Sequence, residues 1–182
     1  MAIMEIVLEG DPRLRQRATR IKHVDERLRR IAADMHETMD AAPGVGLAGP
    51  QVGVMERIIV VHVPGDYIAD GAEDVRYTLI NPEIIRAGGE ETATEGCLSI
   101  PRWIGDVPRY TTIKVKATDL DGRSIRVKAD DWVARVIQHE IDHLDGILFL
   151  DRVVDKSTIR LADEEHADEE SVAAVTGDVP TA

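Results

Sequence analysis

The sequence has a single cysteine and a single phenylalanine, aromatic residues make up only 3% of it, and it contains no run of eighteen apolar residues. With Cys97 alone, an intrachain disulfide is excluded, and a reducing compartment is the natural expectation. Scarce aromatics leave an aliphatic core, and the lack of a long apolar run excludes an apolar helical span. Met1-Ala2-Ile3-Met4-Glu5 lacks the basic start and apolar stretch of a secretory signal, so a cytoplasmic location is expected. From Asp163 to Ala182 there is no Lys or Arg but seven acids, and the net charge of −12 would be −5 without them. An acidic balance argues against a broad or specific nucleic-acid-binding surface.

A chain of 182 residues, 43% hydrophobic and 31% charged, is expected to build one core. Residues 1–162 read as a single domain, and residues 163–182 as an acidic, flexible tail.

Asp11-Pro12 marks a short helix start. From Asp25, the apolar positions Leu28, Ile31, Ala32, Met35 and Met39 keep helical spacing to about residue 41, with Pro43-Gly44 ending the helix. At that spacing both methionines read as core. Arg57 to Val63 reads as a buried strand. Tyr77–Ile80 and Glu83–Arg86 read as two strand segments interrupted by Asn81-Pro82. Residues 113–117 and 125–129 alternate apolar with basic around Asp121-Gly122, the pattern of a hairpin with a type I′ turn. Ile147 to Leu150 reads as a buried strand, and a short helix is expected within Asp151–Leu161.

Gly44, Gly46 and Gly49 match the G-x-G-x-x-G expression, but a dinucleotide site needs a strand before the glycines and a helix after them. Here a helix precedes and Pro50 follows. These glycines instead permit close backbone approach to something extended. His23, His36, His62 and His166 lack partner spacing and read as structural or exposed.

The densest chemistry lies in Gln138-His139-Glu140-Ile141-Asp142-His143-Leu144-Asp145-Gly146. Asp130 and Asp131 suit a helix start and Gly146 a helix stop. Four residues apart on a helix, His139 and His143 face one ion, while Glu140 sits about 100° round, placed to hydrogen-bond a water rather than to ligate. Trp132, Val136, His139 and His143 share one stripe. Two histidines leave a catalytic metal one ligand short. Extension of the zincin pattern would need histidine where Phe149 stands, Glu164 and Glu165 fall in the tail, and Cys97 remains as a thiolate candidate. A closed structural metal site with a fourth protein ligand is the non-enzyme alternative.

Gly44-Val45-Gly46-Leu47-Ala48-Gly49-Pro50-Gln51, Glu95-Gly96-Cys97-Leu98-Ser99 and the histidine segment together resemble, in order, the three signature motifs of bacterial peptide deformylases. The resemblance implies an α+β fold with antiparallel sheets packed around a central metal-binding helix. It also implies removal of the formyl group from N-formylmethionyl nascent peptides. Cys97, His139 and His143 would hold one divalent ion, Fe²⁺ by the family's habit, with Zn²⁺, Ni²⁺ or Co²⁺ able to replace it. Glu140 would be general base and then acid. Gln51 and the Leu98 N–H would bind the oxyanion, Val45 and Gly46 would pair with the substrate backbone, and Val136, with Trp132, would shape the methionine pocket. An arginine at position 109 would pair with Asp142. Gly49 stands where the family usually has alanine, a change expected to loosen the loop, and Arg102 stands where many members have glycine. Transient ribosome association is a family trait, but a basic C-terminal docking helix is at odds with this acidic tail.

Overall fold

The apolar stripe that begins at Leu28 becomes α1 (Glu26–Ala41) in a computed structural model that describes residues 2–42 and 44–162. Asp25 caps it by accepting a hydrogen bond from the Leu28 N–H at 2.8 Å, which satisfies one of the donors a helix start leaves open. The remaining elements are β1 (Gly46–Ala48), β2 (Ile58–Val63), β3 (Val75–Gly88), β4 (Glu91–Cys97), β5 (Ile100–Arg109), β6 (Thr112–Thr118), β7 (Ser124–Asp130), α2 (Asp131–Leu144), α3 (Phe149–Arg152) and β8 (Arg160–Leu161). The tail expected over residues 163–182 lies outside the described residues.

Five strands form an antiparallel sheet in the order β1-β2-β3-β6-β7, and β4-β5-β8 form a second sheet. Strand alternation sends Ile58, Val60 and Ile80 toward α1, where they pack with Leu28, Ala32, Met35 and Met39. The opposite face sends Val61, Leu79, Val115, Val127 and their neighbours against Val133, Val136, Ile137 and Leu144 of α2. A third cluster, of Leu14, Cys97, Ile100, Val107, Leu148 and Phe149, links the second sheet to α3. The fold is thus the expected α+β arrangement, with α2 in contact with the sheet and buried at every position from Val133 to Leu144. A single stripe understated that burial, because sequence period cannot report a helix covered on several sides. No helix among the described residues is long and apolar enough to cross a membrane.

Several local expectations need correction. Strand β3 runs through Asn81-Pro82 as a bulge, with the register shifting between Ile80 and Glu83. Asn81 adopts φ 51° there, and its side-chain amide bonds the Ile21 backbone in both directions, at 2.9 and 2.8 Å. That anchoring lets the strand absorb a proline. The β6–β7 turn is not type I′, since only Gly122, and not Asp121, takes a positive φ. The Asp119 carboxylate instead captures the N–H groups of Asp121 and Arg123, giving a longer loop.

Ile147–Leu150 is not a strand. Its second half enters α3, where Asp151 accepts a hydrogen bond from the Leu148 N–H at 2.8 Å, and a run of four apolar residues carries no period to show this. Asp151–Leu161 holds the end of α3, a 3₁₀ turn over Lys156–Thr158, and then β8. Asp130 is the N-cap of α2 by position, yet its carboxylate pairs with Lys128 at 2.8 Å and makes no cap bond.

Candidate active site

The first motif and the helix meet through backbone proximity. Gly46 on β1 lies so near Glu140 that an added Cβ would stand 2.4 Å from Oε1 and 2.9 Å from Cδ and Cγ. Glycine is required by contact here, not by conformation. Because Glu140 is itself buried, Gly46→Ala is expected to push its carboxylate aside and to lower kcat by about 10²-fold, the scale of an ångström's misplacement. Metal content should be unchanged. Gly88→Ala, with nothing near its added Cβ, is the control, and equal activity of the two variants would refute the contact argument.

The short turn Leu98-Ser99 between β4 and β5 sets Cys97 at a buried strand end facing α2. Cys97 Sγ lies 3.2 Å from His143 Nε2, and the two imidazoles cross edge to face at 5.0 Å between centroids. One ligand atom from each of Cys97, His139 and His143 falls within 4.8 Å of the others. Tetrahedral bonds of about 2.0 to 2.3 Å give ligand–ligand edges of roughly 3.5 Å, so small side-chain rotations complete a site for one ion. A thiolate with two imidazoles fits a first-row divalent ion, and among the described residues no fourth such ligand joins the cluster. A catalytic ion uses such a three-ligand set with one position left for water. Phe149, which occupies the zincin histidine position, stacks on His139 at 6.3 Å and fills space rather than ligating.

His139 is oriented from behind. Glu95, fully buried, bonds His139 Nδ1 at 2.9 Å, which turns Nε2 toward the metal position. The same carboxylate takes Arg109 Nε and Nη2 at 2.9 and 3.0 Å and Arg135 Nη1 at 2.9 Å. Arg109 continues to Asp142, which Arg152 grips on both oxygens at 3.0 and 2.6 Å. The expected Arg109–Asp142 pair is therefore present. Burial alone would raise the Glu95 pKa, but the His139 hydrogen bond and the Arg109 charge hold it well below the usual carboxylate range. Glu95, Arg135 and Arg152 escaped the sequence reading. For Arg135 the available signal was an arginine inside the apolar run 132–137, where an unpaired buried charge is untenable, whereas Glu95 in its polar strand and the exposed Arg152 offered none.

Glu140 differs from Glu95. Burial pushes its pKa up to about 7, against the charge of His139, and its Oε2 is buried without a hydrogen-bond partner among the described residues. A carboxyl so placed can exchange a proton near neutrality. Gln51 is locked by its own backbone neighbourhood: Ala48 N–H donates to Oε1 at 2.7 Å, and Nε2 points at Cys97 Sγ, 3.5 Å away. Leu98 follows Cys97 directly, and its side chain touches the space above Gly44. Val45 and Val136 share the buried cluster between α2 and the sheet, with Trp132 partly buried against it. Gly49 does not loosen its loop. An added Cβ would meet the carbonyls of Val54 and Glu56 at 2.5 and 2.7 Å, so glycine lets the chain pack tighter. Arg102 adopts a left-handed φ of 70°, the conformation glycine takes most readily.

Known proteins resemble this chain along most of its length. The family model described as polypeptide deformylase matches residues 3–158. A peptide deformylase of Thermomicrobium roseum is 56% identical over 97% of this chain and 99% of its own. One from Symbiobacterium thermophilum is 47% identical over 96% of this chain and 77% of its own. The crystal structure of the Ehrlichia chaffeensis peptide deformylase in complex with actinonin superposes with a TM-score of 0.80, at 35% identity, over 93% of this chain and all of that one. The chain belongs to the polypeptide deformylase family and is an enzyme that removes the N-formyl group from newly made polypeptides.

Proposed function

We propose that Cys97 Sγ, His139 Nε2 and His143 Nε2 hold one divalent ion, Fe²⁺ in the cell, and that Glu140 carries the proton transfers of formyl hydrolysis. The observation that carries this reading is a buried, partnerless carboxylate oxygen beside a three-ligand cluster. When bound, the ion supplies the Lewis acidity that brings a water's pKa toward neutrality. Glu140 would take the proton of a water held there as the water oxygen adds to the formyl carbon. Negative charge then gathers on the formyl oxygen, where Gln51 Nε2 and the Leu98 N–H stabilise it. The carbon–nitrogen bond breaks as Glu140 returns its proton to the amine nitrogen, and formate leaves.

Substrate is held as an added strand. The edge strand β1 pairs with β2 on one side, and the His62 N–H takes the Val45 carbonyl at 2.9 Å, so by strand alternation the N–H and C=O of Gly46 turn away from β2, toward a substrate strand laid beside Val45 and Gly46. Gly46 lets that strand approach the Glu140 carboxylate, while Val136 and Trp132 border the apolar pocket for methionine. Residues 1–162 act as one catalytic domain in the cytoplasm, with transient association at the ribosome where formylated chains emerge.

Protein prepared without oxygen is expected to carry iron in preference to zinc by elemental analysis, and to release formate from N-formyl-Met-Ala. A chelator should abolish release, and Fe²⁺ or Ni²⁺ should restore it. Full metal occupancy without formate release would overturn the activity, and a predominance of zinc would overturn the iron assignment alone.

A further inference from the structure

The metal helix occupies one face of the central sheet, and α1 covers part of the other. On the uncovered part, strand register lines up cations. Arg86, Lys114 and Lys128 stand opposite one another across β3, β6 and β7, and Lys116 faces Arg126 in the next row. All five are exposed. Adjacent strands lie about 4.8 Å apart and alternate residues about 6.8 Å apart, so five positive charges share a small rectangle.

Acids nearby are few. Glu83 faces Lys116 in register, and Asp130 binds Lys128 at 2.8 Å. Asp119 and Asp121 belong to the turn, occupied by its own N–H groups and by Arg123. Among the described residues, Arg86, Lys114, Lys116 and Arg126 make no ion pair. Like charges directly opposite in a sheet are unfavourable, and the chain as a whole is strongly acidic. Protection of an exposed edge accounts for cations on β7, the edge strand, but not for those on β3 and β6 inside the sheet.

We propose that this outer face of β3, β6 and β7 docks the enzyme on the phosphate backbone of RNA. A two-dimensional array of exposed cations fits closely spaced phosphates, and the other outward positions include Thr112, Thr118 and Ser124, whose hydroxyls suit phosphate oxygens. On β6 and β7 no outward residue is an apolar anchor, and β3 adds one exposed isoleucine, Ile85, at its register shift, where a lipid surface calls for an apolar face. The net acidity that argues against a broad nucleic-acid surface does not bear on a local one, because charges beyond a Debye length of about 8 Å are largely screened. The metal helix lies on the opposite face, so a protein held this way keeps its active site turned outward. The choice of RNA rests on the nascent-chain activity, since such chains originate on an RNA-rich particle.

The test is the salt dependence of binding of the full-length, metal-loaded protein to a labelled RNA duplex. A dissociation constant between about 10⁻⁶ and 10⁻⁴ M is expected, with log affinity falling against log salt at a slope of about −3. The variant Lys114→Gln/Lys116→Gln/Arg126→Gln should bind at least about tenfold more weakly, with the slope reduced by about 2, while cleaving N-formyl-Met-Ala at the unaltered rate. Absence of binding at low salt, or equal binding by the variant, would overturn the proposal. So would tighter binding to phosphatidylserine vesicles, or RNA binding that emerges only after residues 163–182 are removed, which would assign the face to the chain's own acidic segment. Loss of peptide cleavage with RNA binding intact would count against the activity and leave this surface standing.

Discussion

Glu140→Gln is expected to lower kcat for formate release by at least about 10³-fold while one metal ion per chain is retained. General acid–base catalysis by a placed side chain contributes roughly 10²- to 10⁴-fold, and Glu140 is assigned two proton transfers, which puts it toward the upper end. Glutamine keeps the size that fits beneath Gly46, so the loss isolates the proton from the packing. The environment supports this role: burial pushes the carboxyl pKa up to about 7, and Oε2 has no hydrogen-bond partner among the described residues. Steady-state kinetics beside elemental analysis decide the matter. A metal-replete variant that kept more than about a tenth of the parent kcat would remove Glu140 from the mechanism.

Glu95→Gln should damage both folding and the metal site. Its carboxylate sits at 0% exposure and answers three donors, Arg109, Arg135 and His139. Breaking one partner of a buried ion pair costs about 3 to 5 kcal/mol, since the other charges stay desolvated. Arg109 keeps Asp142, which moderates the loss for that arginine but not for Arg135, whose remaining partners are backbone carbonyls of Ala93, Val107 and Glu91. At His139 the ring loses a charged acceptor on Nδ1, and removal of such a support typically weakens metal binding about 10- to 100-fold. Denaturant unfolding of metal-free protein and competition with a calibrated chelator separate the two effects. A stability change under about 1 kcal/mol with undiminished affinity would show that Glu95 only fills space.

These expectations draw on different depths of information. His139, Glu140 and His143 were legible because helical geometry converts a spacing of four into one face. Cys97 remained after other third ligands were set aside, and the motif resemblance made it a metal ligand, while its place beside Gln51, 3.5 Å away, came from the fold. The roles of Glu95, Arg135 and Arg152 were not legible, because nothing local in a strand or a helix says that an acid 44 residues away will meet a histidine. Gly49 misled for a related reason. Its freedom suggested looseness, whereas the crowding carbonyls of Val54 and Glu56 belong to a chain segment that only folding brings near. Residues Ile147 to Leu150 were misread because a short apolar run carries no period, so the Asp151 cap and the contacts of Phe149 decided its form.

By itself, the sequence determined the aliphatic core, α1 with its Asp25 cap, the strands that alternate, and the identity of the chemical groups, since each depends on neighbours within a turn or a hairpin. The tertiary structure decided which of those groups act on one another. It wrapped α2 with burial on all sides, and it placed the Glu95 carboxylate behind His139. It also set Gly46 against Glu140, and aligned five cations on a face that no single strand could build. Those outcomes depend on the register between strands and the packing of helix on sheet, distances fixed only when segments remote in sequence share one core.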